Sequence, residues 1–392
     1  MALTTLDLDN ELKTFNKKLV FEHQRTDPFQ KLKSTKGSNI FHITRSNGGE
    51  TNIPYMANLS GQGVGSVSKL SGNEETLRDS NFRIRAYVSR NGVKISRKTI
   101  KDASFLYSDA KVTQLKKWGK QRDMDLAIRA LLGVQVSGVK YLFGGNYDPS
   151  QDDTNGSPIV KATNAQLDTW ATSNSDRVLY GSAVSNYSAG NITASLANID
   201  STNDKLTKSV LDLAKQRAYE CSPPIAPLAS GADMNETFVL FVGTVGFNQL
   251  RSSLNDDLRY AEDRGTKNPI FTGSDLEYNG IMIKHVPMID YMIDGSTSIS
   301  SMYGSWGSQS NETLVTAGNS STRVAPAFLV GMQAIAQVLE DPIEMIQDTD
   351  NTDYKEFQGL AIRSSFDYRP VSFKDDKQHG IFTIFHSAVK AV

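Results

Sequence analysis

The chain has 392 residues, 39% of them hydrophobic and 22% charged, a balance that excludes a disordered polymer and is enough for two packed lobes. Its formal net charge of −1 argues against a dedicated nucleic-acid binder, whose affinity would rest on a marked cationic excess. Cys221, the single cysteine, rules out an intrachain disulfide and a cysteine-based zinc cluster, and fits folding in a reducing cytosol.

In chain order, residues 1–47 carry scattered apolar positions (Leu12, Phe15, Leu19, Phe21) among lysines such as Lys13, Lys17 and Lys33, with no sustained period. They read as an arm that lies on something else. No cationic n-region or apolar h-region opens the chain, and no stretch approaches the ~20 apolar residues of a membrane span, so neither a signal peptide nor a membrane partner is expected. An extended segment over Thr51–Leu59 leads into the flexible Gly61-Gln-Gly-Val-Gly65 and the polar Ser71-Gly-Asn-Glu-Glu75. The clearest strand signal follows: Phe82, Ile84, Ala86 and Val88 alternate with Arg83, Arg85 and Tyr87. Asn91-Gly92 is a favoured type I′ turn pair, after which Val93 and Ile95 resume the alternation. Residues 48–100 are therefore predicted to form a long hairpin with one apolar and one cationic face.

Between about Asp102 and Leu132 the apolar residues Leu106, Leu115, Trp118, Met124, Ile128 and Leu131 recur at helical steps, which predicts a long strut-like helix. Residues 144–200, rich in Gly, Asn, Asp, Ser and Thr, predict irregular, exposed loops with brief helices. A second helix is expected behind a cap at Ser201 or Thr202, with Leu206, Val210 and Leu213 on one face and Cys221-Ser-Pro-Pro as its end. Thr237–Val242 reads as a buried strand, about Val245–Arg264 as a helix, and Tyr278-Asn-Gly-Ile as a hairpin turn. Ala325–Leu339 is predicted as a buried helix, and the chain closes with strands over Gly359–Tyr368 and Gly380–Ala388.

Catalytic and ligand patterns are weak. The histidines His23, His42, His285, His379 and His386 form no His-x-x-x-His pair. Gly61-x-Gly63-x-Gly65 lacks the Lys-Ser/Thr and the helix of a phosphate loop. Asp348-Thr-Asp-Asn-Thr-Asp353 lacks the Gly and Glu that complete a calcium loop. Glu74 and Glu75, adjacent on an extended segment, point to opposite faces and cannot flank one bond. No catalytic, cofactor or metal residue is expected.

Five stretches in order resemble the major capsid proteins of tailed phages with the Hong Kong 97-like fold, in the family typified by N-four-type podoviruses. They are Leu59-Ser-Gly-Gln-Gly with Lys69-Leu-Ser-Gly-Asn-Glu-Glu-Thr-Leu77; Phe238-Val-Leu-Phe-Val with Gln249-Leu-Arg251; Asn268-Pro-Ile-Phe-Thr-Gly273 with Tyr278-Asn-Gly-Ile-Met-Ile; Phe328-Leu-Val-Gly-Met-Gln-Ala334; and Gly380-Ile-Phe-Thr-Ile-Phe. The chain departs from that pattern at Gly243-Thr-Val-Gly246 and in residues 144–200.

The resemblance implies an α+β subunit with an N-terminal arm (1–47), an extended loop hairpin (48–100) and a peripheral domain with a long spine helix (101–220). An axial domain (221–355) and returning C-terminal strands (356–392) complete it. It implies self-assembly into hexamers and pentamers of an icosahedral virion shell, made in the host cytoplasm around double-stranded DNA, with portal, scaffold and decoration proteins as partners. Near-neutral charge suits a wall that must not immobilise its cargo. An apolar-striped hairpin is only marginally stable alone and needs a surface to lie on. Intersubunit contacts are accordingly expected at Glu74, Glu75, Arg83, Arg85, Arg90, Lys94 and Arg97. The cations are expected to dock on acidic stretches of a neighbour, such as Asp152-Asp153 or Glu340-Asp341. The alternatives are an encapsulin-like compartment shell and a loop-rich carbohydrate-active enzyme using carboxylates from 144–200 or 340–356.

Overall fold

The computed structural model describes residues 29, 32–33, 40–46, 50–56, 59, 61, 63–66, 68–77, 79–96, 107–137, 139–142, 160–230, 235–254, 276–287, 289, 318–319, 322–347, 357–373 and 375–388. Along the chain come β1 (Phe41–Arg45), β2 (Glu50–Met56), β3 (Asp79–Arg85), β4 (Val88–Ser96), α1 (Tyr107–Leu131), β5 (Gly133–Val136), β6 (Val139–Leu142) and β7 (Val160–Lys161). Then follow α2 (Asn164–Ser173), β8 (Val178–Tyr180), α3 (Ile192–Ala197), α4 (Lys208–Glu220), β9 (Leu228–Ser230), β10 (Asn235–Val242) and α5 (Thr244–Ser253). The last strands are β11 (Leu276–Tyr278), β12 (Ile281–His285), β13 (Val324–Val330), β14 (Ile335–Gln347), β15 (Phe357–Pro370) and β16 (Ile381–Ser387). No helix among the described residues is long and apolar enough to cross a membrane.

A seven-stranded sheet, in the order β11-β12-β10-β13-β16-β8 with β9 added on β10, forms the first body. Its middle strands are apolar on both faces because both faces are covered. Val239, Phe241, Phe328 and Val330 point into a core shared with Met124, Ile128 and Leu131 of α1. Their alternates Phe238, Leu240, Val242 and Leu329 enter a second core under Leu211 and Ala214 of α4 and Leu250 of α5.

The second body is a four-stranded sheet in the order β1-β14-β15-β4, with β1 parallel to β14 and the other pairs antiparallel. Alternation along β14 again assigns the faces. Ile335 and Leu339 meet α1, whereas Ala336 and Val338 meet Phe82 and Ile84 of β3. The sheet therefore lies between a helix on one face and the β2–β3 ribbon on the other. At 25 residues and ~1.5 Å per residue, α1 runs nearly 40 Å. Gly119 brings it close to the strands: a Cβ there would lie 3.0 Å from Ile362 Cδ1.

The structure corrects several sequence expectations. Asn91-Gly92 is no turn; it lies inside β4, whose partner is β15, and β3 pairs instead with β2. Ala325–Leu339 is not a helix but β13, a tight reversal at Gly331–Ala334 and the start of β14. Helix α4 begins behind Thr207, five residues after the expected cap, and borrows its capping from α5: Ser253 Oγ accepts from Lys208 N and Gln249 Oε1 from Leu206 N. Over 162–200 the brief helices are present, yet Trp170, Tyr180, Ile192 and Ile199 are buried and β8 joins the large sheet. This segment thus supplies core residues while keeping exposed stretches such as 163–165 and 189–191; residues 143–159 lie outside the described ones. The helix expected to reach Arg264 ends at Ser253 within the described residues, and Asp152-Asp153 and Asp348–Asp353 lie outside them.

Candidate assembly surface

The ribbon of β2 and β3 is antiparallel, with Glu50 opposite Arg85 and Met56 opposite Asp79. Period-two alternation puts Ile53, Tyr55, Phe82 and Ile84 on its inner face and Asn52, Pro54, Arg83 and Arg85 on its outer face. Phe82 and Ile84 are buried against Val338 and Val371, so the base of the ribbon docks on its own body. An aromatic clamp completes the docking: the Tyr55 ring stacks on Phe373 at 4.3 Å, and His379 meets both rings edge-on at 5.2 and 4.8 Å. Burial here pushes the His379 pKa down, against the pull of Asp375, whose carboxylate lies 3.0 Å from Nε2.

Beyond Met56 and Asp79 the support ends. Met56, Leu59, Leu70 and Leu77 are 57–64% exposed, an apolar group left largely open among the described residues. The backbone between them is nevertheless closed on itself. Gly61 N donates to Glu75 Oε2 and Gly72 N to Glu74 Oε2, each at 2.7 Å. A Cβ at Gly61 would stand 2.7 Å from Glu75 Oε2, so a larger residue there would turn the exposed Glu75 side chain away from Gly61 N. Glu75 thus ties the start of the glycine-rich run to the returning segment, and Glu74 closes a local turn at Gly72.

The expected cations separate into two groups. Arg83 and Arg85 stand on the ribbon's outer face; Arg83 Nε is 3.9 Å from Glu50, an exposed pair worth under ~1 kcal/mol, and Arg85 lies over the Tyr87 ring. Arg90 and Lys94 belong to edge strand β4, opposite Arg363 and Gly359, with Lys94 Nζ 5.1 Å from the Phe357 ring centroid. Arg97 lies outside the described residues. Of the acidic stretches expected to receive them, Glu340 accepts from Ser365 Oγ and Asp341 pairs with Arg363, so both are engaged within their own chain. The arm's described residues also turn inward. Phe29 is buried against Phe41 and Phe241, and Lys33 binds Asp123 of α1.

No cluster of His, Cys, Asp or Glu among the described residues could hold a metal. His285 stacks on Phe247, His386 is buried in β16, and Cys221 is a buried thiol whose pKa burial raises. What distinguishes the molecule is a surface, a two-stranded lever with an apolar tip.

A sheet flanked by a long helix and a projecting ribbon, joined to a helix-covered second sheet, is the architecture of the Hong Kong 97-like fold. The chain matches the phage capsid protein family over residues 4–389 and belongs to that family, whose members are structural proteins of the phage shell. Among solved structures it is similar to the capsid of cyanophage Pam1 (22% identity, TM-score 0.81, 100% of both chains covered). It is also similar to the capsid of Ralstonia phage GP4 (16%, 0.69, 97% of this chain and 96% of that one). The acid-stable capsid of Helicobacter pylori bacteriophage KHP30 is a third (11%, 0.57, 98% of each). No curated protein is significantly similar to the chain. Family membership sets aside the enzyme reading and makes self-assembly into a virion shell the chain's role.

Proposed function

We propose that the subunits form hexamers and pentamers in which each ribbon tip is laid across the adjacent copy, and that these rings close around double-stranded DNA. The observation that carries this reading is the exposed set Met56, Leu59, Leu70 and Leu77 at the end of a ribbon whose base is firmly docked. A contact from one patch to a different patch of the next copy is heterologous, and such contacts close into rings by rotation. In this reading 1–47 is the arm, 48–100 the extended loop, 101–220 the peripheral domain with α1 as its spine, 221–355 the axial domain and 356–392 the returning strands. Portal and scaffold proteins set shell size, decoration proteins bind outside, and assembly takes place in the host cytoplasm, as in an N-four-type phage.

Size exclusion and electron microscopy of the purified protein test the proposal. The wild type forms closed particles, while Leu59→Ser with Leu70→Ser stays folded by circular dichroism and elutes as free subunits. Arg83→Glu with Arg85→Glu also impairs closure without unfolding the subunit. Normal shells from the double serine variant would refute the role of the tip.

A further inference from the structure

A chain of net charge −1 carries one stretch of strongly uneven charge: residues 110–122 contain Lys111, Lys116, Lys117, Lys120 and Arg122 and no Asp or Glu. This stretch is the middle of α1. Helical geometry sorts it. Leu115 and Gly119 are buried toward the four-stranded sheet, and about 100° round the helix from them Lys116 and Lys120 are exposed one turn apart, flanked by Thr113, Gln114 and Gln121. Among the described residues neither Lys116 nor Lys120 makes an ion pair or hydrogen bond. The two outer layers of this body therefore differ in kind. The ribbon side carries Arg83 beside Glu50 and Arg85 over Tyr87 and ends in exposed apolar side chains; the helix side presents ammonium groups among neutral polar ones, with no acid between them.

That difference selects the partner. Protein interfaces centre on apolar and aromatic anchors and are depleted in lysine, which describes the ribbon tip and not this helix face. Lysine rows without acids, on flexible stems, instead match a polyanion bound through its backbone, with affinity driven by counterion release. Resting on the reading of the chain as a shell around duplex DNA, we propose that the Lys116–Lys120 face of α1 is the inner surface that meets the phosphate backbone, without reading sequence. A few such lysines per subunit give weak contacts that salt dissolves, consistent with a near-neutral chain whose cargo must leave.

The test uses the full-length protein and labelled double-stranded oligonucleotides of two unrelated sequences, with binding followed by fluorescence anisotropy across a NaCl series. Wild type binds both alike. In Lys116→Gln with Lys120→Gln the slope of log K against log salt falls by about 1.8, since each phosphate contact contributes about 0.9. Lys116→Arg with Lys120→Arg restores it, and Arg90→Gln with Lys94→Gln, on the other side of the sheet, leaves it unchanged. An unchanged slope in the glutamine pair, or an equal fall in the Arg90/Lys94 control, overturns the proposal. So does loss of particles by the glutamine pair with DNA binding intact, which would make the row a contact between subunits. Failure of the wild type itself to form particles would instead count against the shell reading, and leaves the DNA measurement standing on its own.

Discussion

Phe82→Ala tests whether the ribbon is anchored by its own chain. Phe82 is 2% exposed, packed under Val338 and Ile84, with its ring 6.4 Å from that of Phe373. A buried phenylalanine removes at least about 150 Å² from water. At about 25 cal/mol per Å² that amounts to about 4 kcal/mol, within the range of about 3–5 kcal/mol seen for Phe→Ala in cores. Because the partly buried Phe373 can settle into the gap, the lower end applies, about 3 kcal/mol. The loss is local, so it raises the opening equilibrium of β2 and β3 by about a hundredfold and leaves the sheets intact. Amide hydrogen exchange of the unassembled subunit reads this directly as faster exchange at residues 50–56 and 79–85. Leu70→Ala, at a position 61% exposed, is the control and should change protection by well under 0.5 kcal/mol. Equal exchange in the two variants would mean that the ribbon is not held by the contacts described above.

Three further outcomes are expected. Burial pushes the pKa of His386 down to about 4 and keeps the ring neutral, with Nδ1 donating to Ser387 O. The unfolded chain takes up the proton near pH 6.5 while the fold resists until about pH 4, so stability falls across that window by about 3 kcal/mol; His386→Gln should flatten this part of the pH dependence of urea unfolding. Gly181 has φ +67° and a Cβ there would sit 2.2 Å from Asp204 Oδ1, displacing the carboxylate that accepts from Ser182 N and Oγ and from Asp200 N. Gly181→Ala should therefore lower stability by at least about 2 kcal/mol, seen as a lower melting temperature. Arg177 is buried and donates to Gln378 O at 3.0 Å and Pro223 O at 2.7 Å, so Arg177→Met strands both carbonyls and should lower the urea midpoint by the equivalent of about 3 kcal/mol.

Elements whose environment is one-sided were legible in the sequence. The alternation at 82–85 identifies β3 and its buried face, and the spacing identifies α1 through its first turns, where each element has one wet side and one dry side; from Leu126 to Leu131 the helix is buried all round. Asn279-Gly280 also reads correctly: both residues adopt positive φ in a hairpin that joins neighbours in sequence. The same dipeptide at Asn91-Gly92 misleads because β4 is fixed by β15, far along the chain. There the glycine is an ordinary strand position, its Cβ site in van der Waals contact with Leu360 O and Ala361 Cβ at 3.5 Å. Val324–Val330 is buried at every position, so no period distinguishes strand from helix, and Pro326 inside it points away from a strand. β8, three residues long, carries no pattern at all and is held by β16. For the surface, the cationic face of β3 was visible, but the apolar tip was not, since exposure depends on where the body ends.

The pairing of β1 with β14, of β4 with β15 and of β8 with β16 has a consequence for synthesis. Strand β1 finds its register only when Ile335–Leu339 exists, and β4 only when residues 357–365 have left the ribosome. Nascent chains thus carry an unseated leading third until translation is nearly finished, a topology that folds slowly because distant segments must meet. On a polysome crowded with sibling chains, the lever stays without its fulcrum until each polypeptide is almost complete, which postpones its joining to a neighbour.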